Sequence, residues 1–291
     1  MRIGVVFPQT AIGADRGAIR AYAQGVGELG YSHLLAFDHV LGADPSQHPG
    51  WSGPYTHVST FHEPFVLFGY VAGITSLELV TGVIVLPQRQ TALVAKQAAE
   101  VDILTDGRFR LGVGIGWNAV EYEALGEDFR TRGRRMDEQI DVLRRLWTEP
   151  VHTVEGRYHR ITAAGIAPLP VQRPIPIWLG AQSAPRSLRR AGRLGDGWMP
   201  QFQPGTREFE DAIAHVHEGA REAGRDPASL GMEGRLSVDR TTVDDVAENA
   251  RRWRDVGATH LSINTMGAGL SSVDEHVDLL GQVASAVTLS R

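Results

Sequence analysis

The sequence has no cysteine among its 291 residues. This absence excludes disulfide bonds, thiolate nucleophiles, iron–sulfur clusters and cysteine-ligated zinc. Redox chemistry in this chain would therefore need a bound organic cofactor. Lysine is almost as scarce, because Lys96 is the single lysine beside 28 arginines. Schiff-base catalysis, which needs a lysine amine, is for that reason a poor fit.

Long apolar runs and an excess of positive charge are also missing. No apolar stretch approaches the roughly 18 residues that span a membrane. The net charge of -5 does not suit a nucleic-acid-binding surface. The segment from Met1 to Pro8 reaches a proline too early for a signal peptide. We expect a cytoplasmic homodimer that acts on a small-molecule substrate and has neither nucleic acid nor membrane as partner.

Short apolar runs alternate with amphipathic segments along the chain, which predicts buried strands that are each followed by a helix. At about 36 residues per unit, eight units fit the chain and predict one (β/α)8 TIM barrel domain over residues 1–291. A doubly wound sheet would place a glycine-rich loop where the sequence has Pro8-Gln9-Thr10. The predicted strands are Ile3–Phe7, His33–Phe37, Leu79–Leu86, Arg110–Gly114, Ile175–Gly180, Gly197–Pro200, Gly231–Val238 and His260–Asn264. The predicted helices lie at about 15–30, 63–76, 91–104, 133–147, 184–194, 206–224, 243–256 and 272–287.

Two segments interrupt this alternation. Residues 41–62 form a long loop after the second strand, and residues 149–174 form an insertion before the fifth strand, with a hairpin pattern at Val154–Tyr158. Barrel active sites lie at the C-terminal ends of the strands, so the long loop belongs to the functional face. We expect its Trp51 and Tyr55 to form a lid over the substrate.

Asp38 and His39 directly follow the second strand. A histidine at a strand end, oriented by a neighbour, can donate or accept a proton near neutral pH. A buried histidine next to an aspartate that caps the loop is an equally good interpretation of these two residues. The loop histidines His48, His57 and His62 lack carboxylate partners at a recognisable ligand spacing, so we expect no metal site.

Glycines mark two further strand ends. The segment Gly112-Val113-Gly114-Ile115-Gly116 lies in the predicted fourth strand and lacks the spacing of a dinucleotide-binding loop. Its glycines either let a flat ring approach the backbone or serve barrel packing. The segment Gly180-Ala181-Gln182-Ser183-Ala184 leads into a helix, whose first N–H groups can bind a phosphate. Ser183 is expected to cap that helix, either alone or while also binding the phosphate.

As an ordered set, these motifs resemble the bacterial luciferase-like superfamily, and specifically its oxidoreductases that depend on the deazaflavin coenzyme F420. The resemblance covers roughly residues 1–265. The segments that carry it are Phe37-Asp38-His39-Val40, Thr81–Pro87, Leu104–Arg108, Leu111–Trp117, Arg134–Glu138 and Ala191–Trp198.

The resemblance implies a luciferase-like barrel in which Asp38 and His39 lie beside the deazaflavin ring, with His39 transferring a proton. It also implies a non-proline cis peptide bond within Gly82–Ile84, behind the ring, and a phosphate site at Gly180–Ala184. The cofactor-binding residues expected in this way are Gly82, Val83, Ile84, Gly114, Gly116, Trp117, Asn118, Gly180, Ala181, Gln182, Ser183, Ala184 and Trp198.

The sequence departs from the sugar-phosphate dehydrogenases of that family. These enzymes have a glutamate where this chain has Trp117, and they bind the substrate phosphate through lysines, whereas Lys96 lies in a predicted helix. Both departures argue against glucose-6-phosphate as the substrate. Trp51, Tyr55, Trp117 and Trp198 suggest an apolar, aromatic pocket instead.

The expected function is therefore hydride transfer between coenzyme F420 and a small, apolar organic substrate. Two alternatives stay open. The first is an FMN-dependent monooxygenase of the same superfamily, and the second is a non-catalytic barrel that only binds a flavin.

Overall fold

A closed barrel of parallel strands forms the centre of the computed structural model, which describes residues 1–238, 242–287 and 289. The predicted domain also includes residues 239–241, 288, 290 and 291, and these lie outside the described residues. The strands are β1 (Arg2–Val6), β2 (His33–Ala36), β3 (Glu78–Thr81), β4 (Ile84–Val85), β5 (Phe109–Gly114), β6 (His152–Glu155), β7 (Arg160–Ala164), β8 (Ile177–Gly180), β9 (Gly197–Met199), β10 (Gly231–Ser237) and β11 (His260–Asn264).

The barrel runs in the order β3, β2, β1, β11, β10, β9, β8, β5 and β4. β3 and β4 together occupy the third of the eight positions, and both pair with β5, which closes the barrel. Every pairing in the barrel is parallel. The predicted (β/α)8 architecture is confirmed.

Helices cover the outside of the barrel, and their ends follow the sequence patterns. The Asp15 carboxylate accepts a hydrogen bond from the Ala18 N–H at 2.7 Å, as expected of an N-cap. Gly30, with φ of 88°, lies just beyond the end of the first helix. The helices are α1 (Arg16–Glu28), α2 (Pro64–Ala72), α3 (Thr91–Leu104), α4 (Ala119–Ala124), α5 (Arg132–Thr148), α6 (Pro185–Leu194), α7 (Arg207–Glu222), α8 (Val243–Asp255) and α9 (Val273–Val287). No helix within the described ranges is both long and apolar enough to cross a membrane.

The third barrel position differs from the prediction of one strand over Leu79–Leu86. The strand is interrupted at Gly82–Val83, whose peptide bond is cis, and Leu86–Gln88 forms a short 3-10 turn. A continuous apolar run contains no information about this interruption, because the residues on both sides are equally suited to a buried strand. The position of the cis bond agrees with the one implied by the family resemblance.

The insertion before β8 contains the predicted hairpin, in which β6 and β7 pair antiparallel. The turn between them is held by α5, because the Glu138 carboxylate accepts hydrogen bonds from the N–H groups of Arg157, Tyr158 and His159 at 2.8–2.9 Å. The same carboxylate lies 2.8 Å from His159 Nδ1. The hairpin is therefore fastened to the helical layer and lies outside the barrel sheet.

A buried network of charges fills the barrel interior beneath the C-terminal ends of the strands. Arg110 forms ion pairs with Glu78 and Glu233, each at 2.8 Å, and His33 Nε2 lies 2.9 Å from Glu233. Burial alone would raise the pKa of Glu233, but Arg110 and His33 hold that pKa well below its ordinary value. The carboxylate of Glu233 is therefore ionised, and it is already paired inside the barrel.

Candidate active site

A cavity of about 640 Å³ opens at the C-terminal ends of the barrel strands. This volume lies within the range of small-molecule and cofactor sites, about 300–1,000 Å³. Most of the predicted site residues line this cavity. Those that do are Asp38, His39, Tyr55, Gly82, Val83, Gly114, Gly116, Trp117, Asn118, Gly180, Ala181, Gln182, Ser183 and Ala184.

Three predicted residues lie elsewhere. Side chains alternate between the two faces of a strand, and Met199 faces the cavity, so Trp198 points away from it and stacks on Phe209 of α7 with ring centroids 6.2 Å apart. Ile84 is fully buried in the core for the same reason. Trp51 packs against Trp117, with centroids 5.5 Å apart, behind the cavity wall. We therefore leave Trp198 and Ile84 out of the proposed cofactor site and treat Trp51 as a support for Trp117.

Val83 forms part of the cavity wall, and the glycines opposite make room for it. A Cβ atom on Gly114 would lie 2.7 Å from Val83 Cγ2, and one on Gly180 would lie 3.0 Å from Val83 Cγ1. Gly116 has φ of 62°, a conformation that favours glycine. The close approach of Val83 therefore explains why glycine stands at positions 114 and 180, and no bound ring is needed to explain it. The cavity wall at this place has few side chains and is smooth.

His39 stands in the cavity within a cage of aromatic rings. Its ring centroid lies 5.0 Å from Tyr55, 4.7 Å from Phe61 and 5.5 Å from Trp117, each in an edge-to-face arrangement. The side chain is 10% exposed. The cage fixes the imidazole plane and leaves its edge accessible from the cavity, which suits a group that exchanges a proton.

Glu121 is the acidic partner of His39, and the sequence reasoning missed it. Its Oε1 lies 3.7 Å from His39 Nδ1 and accepts hydrogen bonds from the N–H groups of Val40 at 2.5 Å and Leu41 at 3.2 Å. Burial alone would raise the pKa of Glu121, but His39 and the Val40 N–H together hold it below its ordinary value. The carboxylate is therefore ionised at neutral pH and able to orient the imidazole.

Asp38 points away from His39, so the neighbour that orients the histidine is Glu121 and not Asp38. Asp38 Oδ1 lies 2.7 Å from Arg89 Nη2, and Oδ2 accepts a hydrogen bond from the Val85 N–H at 3.0 Å. Burial raises the pKa of Asp38, and Arg89 opposes that rise only in part. Asp38 thus ties the end of β2 to β4, directly beside the Gly82–Val83 bond.

Asn118 lines the cavity but uses its carboxamide for local structure. Its Oδ1 accepts hydrogen bonds from the N–H groups of Val120 and Glu121 and so caps α4, a six-residue helix that the sequence analysis did not predict. Its Nδ2 donates to the Leu41 carbonyl at 3.2 Å. The spacing Asn-x-x-Glu from Asn118 to Glu121 is an N-terminal capping pattern and could have revealed both the helix and the carboxylate.

The segment after β8 meets the cavity at the start of α6, but Ser183 is not the cap of that helix. The cap position is held by Ala184, where no side chain makes a capping hydrogen bond, and the helix begins with Pro185. The prediction that Ser183 caps the helix is wrong by one residue. Its exposed hydroxyl lines the cavity instead.

Two arginines in the cavity wall were also missed, and they correct the expectation of an apolar pocket. Arg132 begins α5, and its Nε is buried without a hydrogen-bond partner among the described residues. Arg235 lies in β10, two residues beyond the buried Glu233. Two charged residues at alternate positions of a strand point to the same face, so this spacing in the sequence could have placed both inside the barrel.

The sequence predicted no metal site at the histidines of the long loop. Among the residues that the structure describes, no group of three or more histidine, aspartate or glutamate side chains is arranged to hold a metal ion. His62 instead places its Nε2 3.2 Å from the Gly13 carbonyl, and His57 is exposed.

Comparison with known proteins identifies the family. Residues 1–276 match the family model described as luciferase-like monooxygenase. The chain belongs to this family, and the resemblance carried by the motifs is confirmed.

Particular relatives can be named as well. An F420-dependent hydroxymycolic acid dehydrogenase of Mycobacterium tuberculosis is 32% identical over 260 residues, which are 87% of this chain and 66% of the relative. An F420-dependent glucose-6-phosphate dehydrogenase of Kribbella flavida is 29% identical over 248 residues, which are 82% of this chain and 70% of the relative. The solved structure of an F420-dependent secondary alcohol dehydrogenase in complex with an F420-acetone adduct shares the fold, with a TM-score of 0.78, 18% identity and 98% of each chain covered.

Proposed function

We propose that this protein is an F420-dependent oxidoreductase that transfers a hydride between the deazaflavin and a small organic substrate, with His39 exchanging the accompanying proton. The observation that carries the proposal is the placement of His39 in the barrel-mouth cavity, inside an aromatic cage and 3.7 Å from the buried carboxylate of Glu121. That two relatives are named as F420-dependent dehydrogenases supports the choice of cofactor.

The residues present fit the cofactor at both of its ends. The wall formed by Val83, Gly114 and Gly180 offers a surface on which a flat ring can lie. At the other end, a phosphate would meet Ser183 and the N-terminus of α6, where the helix dipole favours an anion. Arg132 lines the same cavity and could supply positive charge to that phosphate.

Each group of the protein has a distinct role in this proposal. When bound, the deazaflavin supplies the site that accepts or donates a hydride. His39 Nδ1 faces Glu121, so Nε2 is the atom that takes the hydroxyl proton when an alcohol is oxidised and returns it to the carbonyl oxygen in the reverse direction. Asp38 positions the β2 end through Val85 and Arg89, and the rings of Tyr55 and Trp117 keep water from the imidazole.

Cofactor choice is tested by titrating the purified protein with F420 and with FMN while following tryptophan fluorescence. We expect F420 to bind at micromolar concentration or below and FMN markedly more weakly. Tighter binding of FMN would favour the monooxygenase alternative. Binding of F420 without turnover across a panel of alcohols, enones and nitroaromatics would favour the non-catalytic barrel.

The role of His39 is tested with His39→Asn, which keeps a hydrogen-bonding group but cannot titrate near neutral pH. We expect nearly normal cofactor affinity and a turnover number lower by about 10²- to 10⁴-fold, the usual contribution of general acid–base catalysis. His57→Asn, at an exposed position of the long loop that follows His39, serves as the matched control and should leave both quantities unchanged. Full turnover in His39→Asn would remove this histidine from the mechanism.

A further inference from the structure

Arg235 brings a positive charge into the cavity. It projects from β10 and belongs to the cavity lining. Within the described part of the chain its guanidinium forms no ion pair, and its nearest polar side-chain contact is the neutral amide of Gln201, with Nη2 3.3 Å from Oε1. The nearby carboxylate of Glu233 is already bound by Arg110 and His33. Glu233 therefore acts on Arg235 only at longer range, and no carboxylate among the described residues lies within ion-pair distance of its guanidinium.

The guanidinium reaches across the barrel mouth towards β2. Its Cζ lies 5.3 Å from the ring centroid of Phe37, which directly follows β2, although β1 and β11 separate β10 from β2 in the barrel. The backbone that carries it is held in place, because Gln203 Nε2 donates to the Arg235 carbonyl and Gln203 Oε1 accepts from Trp253 Nε1. The arginine is thus supported in an extended position over the cavity.

This position lies close to the residues assigned to proton transfer. Phe37, on which Arg235 rests, is two residues before His39 in the chain. Tyr55, which contacts the His39 ring, also lies within electrostatic reach of Arg235. A ligand held by the guanidinium would therefore extend into the space beside His39.

Charge placed in a partly buried wall is costly unless it is paired, and burial lowers the pKa of Arg235 below its ordinary value. An arginine fork matches the geometry of a carboxylate, with two parallel hydrogen bonds. A ligand with a carboxylate would supply the direct ion pair that the described residues do not.

We propose that Arg235 is a substrate-specificity residue that binds the carboxylate of the substrate, so that the enzyme acts on small organic acids whose alcohol or carbonyl carbon lies beside His39. This inference rests on the proposed function for the reaction itself. It differs from the expectation of a small, apolar organic substrate. The aromatic rings around His39 then contact the hydrocarbon part between the carboxylate and the reacting carbon.

The same guanidinium could instead bind the phosphate of the cofactor. The structure favours the substrate, because Ser183, Arg132 and the start of α6 gather at the β8 end of the cavity. Arg235 projects from β10 and leans on Phe37, so it lies at a different part of the rim. The experiment must distinguish binding of a substrate carboxylate from binding of the cofactor phosphate.

The test uses benzoate and benzamide, which have nearly the same shape but differ in charge, in calorimetric titrations of the 291-residue chain with and without bound F420. We expect benzoate to bind at least about tenfold more tightly than benzamide, the effect of one hydrogen bond to a charged group. Arg235→Gln should abolish this preference, and Arg235→Lys should retain part of it because it keeps the charge but loses the fork. Arg251→Gln, which removes an exposed arginine from α8, is the matched control and should behave as the unaltered protein.

Several outcomes would overturn the proposal. Equal affinities for benzoate and benzamide in the unaltered protein would show that the cavity does not select a carboxylate, and this result does not depend on the folding of any variant. Displacement of benzoate by F420, or an F420 affinity at least about tenfold lower in Arg235→Gln, would assign the guanidinium to the cofactor. Failure of F420 to bind at all would refute the proposed function, whereas the benzoate preference of the cofactor-free protein would still decide the role of Arg235.

Discussion

Replacing Arg89 by methionine would leave the buried carboxylate of Asp38 without its counter-ion. The two side chains are only 13% and 1% exposed and lie 2.7 Å apart, so the pair is largely shielded from water. Removing one partner of a buried ion pair costs about 3–5 kcal/mol of folding free energy. Arg89 Cζ lies 5.9 Å from the ring centroid of Phe65, and methionine keeps an apolar side chain on that side, so most of the loss should come from the charge.

The loss in Arg89→Met should depend on pH in a defined direction. Burial already raises the pKa of Asp38 in the folded protein, and without Arg89 that pKa rises further. The folded state then binds a proton more tightly than the unfolded chain, whose aspartate has a pKa of about 3.9. Stability therefore falls as the pH rises from about 4 towards the pKa of the folded state, and the deficit of the variant is largest at neutral pH.

Urea unfolding at pH 7 and pH 5 measures this deficit. The matched control is Arg145→Met, whose pair with Asp141 is exposed and should be worth less than about 1 kcal/mol at either pH. The double variant Asp38→Asn with Arg89→Met should recover a large part of the stability, because neither charge of this buried pair is left. A deficit in Arg89→Met that is equal at both pH values, or that persists undiminished in the double variant, would refute this reasoning.

Two further predictions concern the cavity wall. Ser183→Ala should weaken F420 binding by about 1.5–3 kcal/mol, measured by fluorescence titration, without lowering the melting temperature, because Ala184 holds the cap position. A lower melting temperature with unchanged affinity would contradict this. Gly114→Ala should cost about 1–3 kcal/mol in urea unfolding, since its Cβ would lie 2.7 Å from Val83 Cγ2. Val83→Ala in the same chain should restore part of that loss, and equal losses in the single and double variants would disprove the contact.

The barrel was predictable because short, mostly apolar runs alternate with helical patterns along the chain. The faces of the strands were harder to predict. In β9 (Gly197–Met199), the side chains of Trp198 and Met199 are both apolar, so the sequence does not indicate which of them faces the cavity. In the structure Met199 faces the cavity and Trp198 faces the helical layer. The same ambiguity hid the outward direction of Ile84.

The site was only partly predictable, because its essential pairings join distant parts of the chain. The sequence places Asp38 beside His39, yet the structure pairs Asp38 with Arg89 and His39 with Glu121, a residue about eighty positions further along. Adjacent residues at the end of a strand point in opposite directions, so their proximity in the sequence argues against a shared contact. Only the capping pattern at Asn118 hinted that Glu121 lies in the first turn of a helix.

The long loop over the cavity is fastened to the barrel by α4. Glu121 accepts from the N–H groups of Val40 and Leu41, and Asn118 donates to the Leu41 carbonyl. The carboxylate that contacts His39 is therefore also the anchor of the loop. For protein engineering, residues 40–62 and 118–124 should therefore be exchanged together: a chimera that received a relative's 118–124 segment would keep the loop anchor and the partner of the histidine only if that segment carried a carboxylate at the position of Glu121.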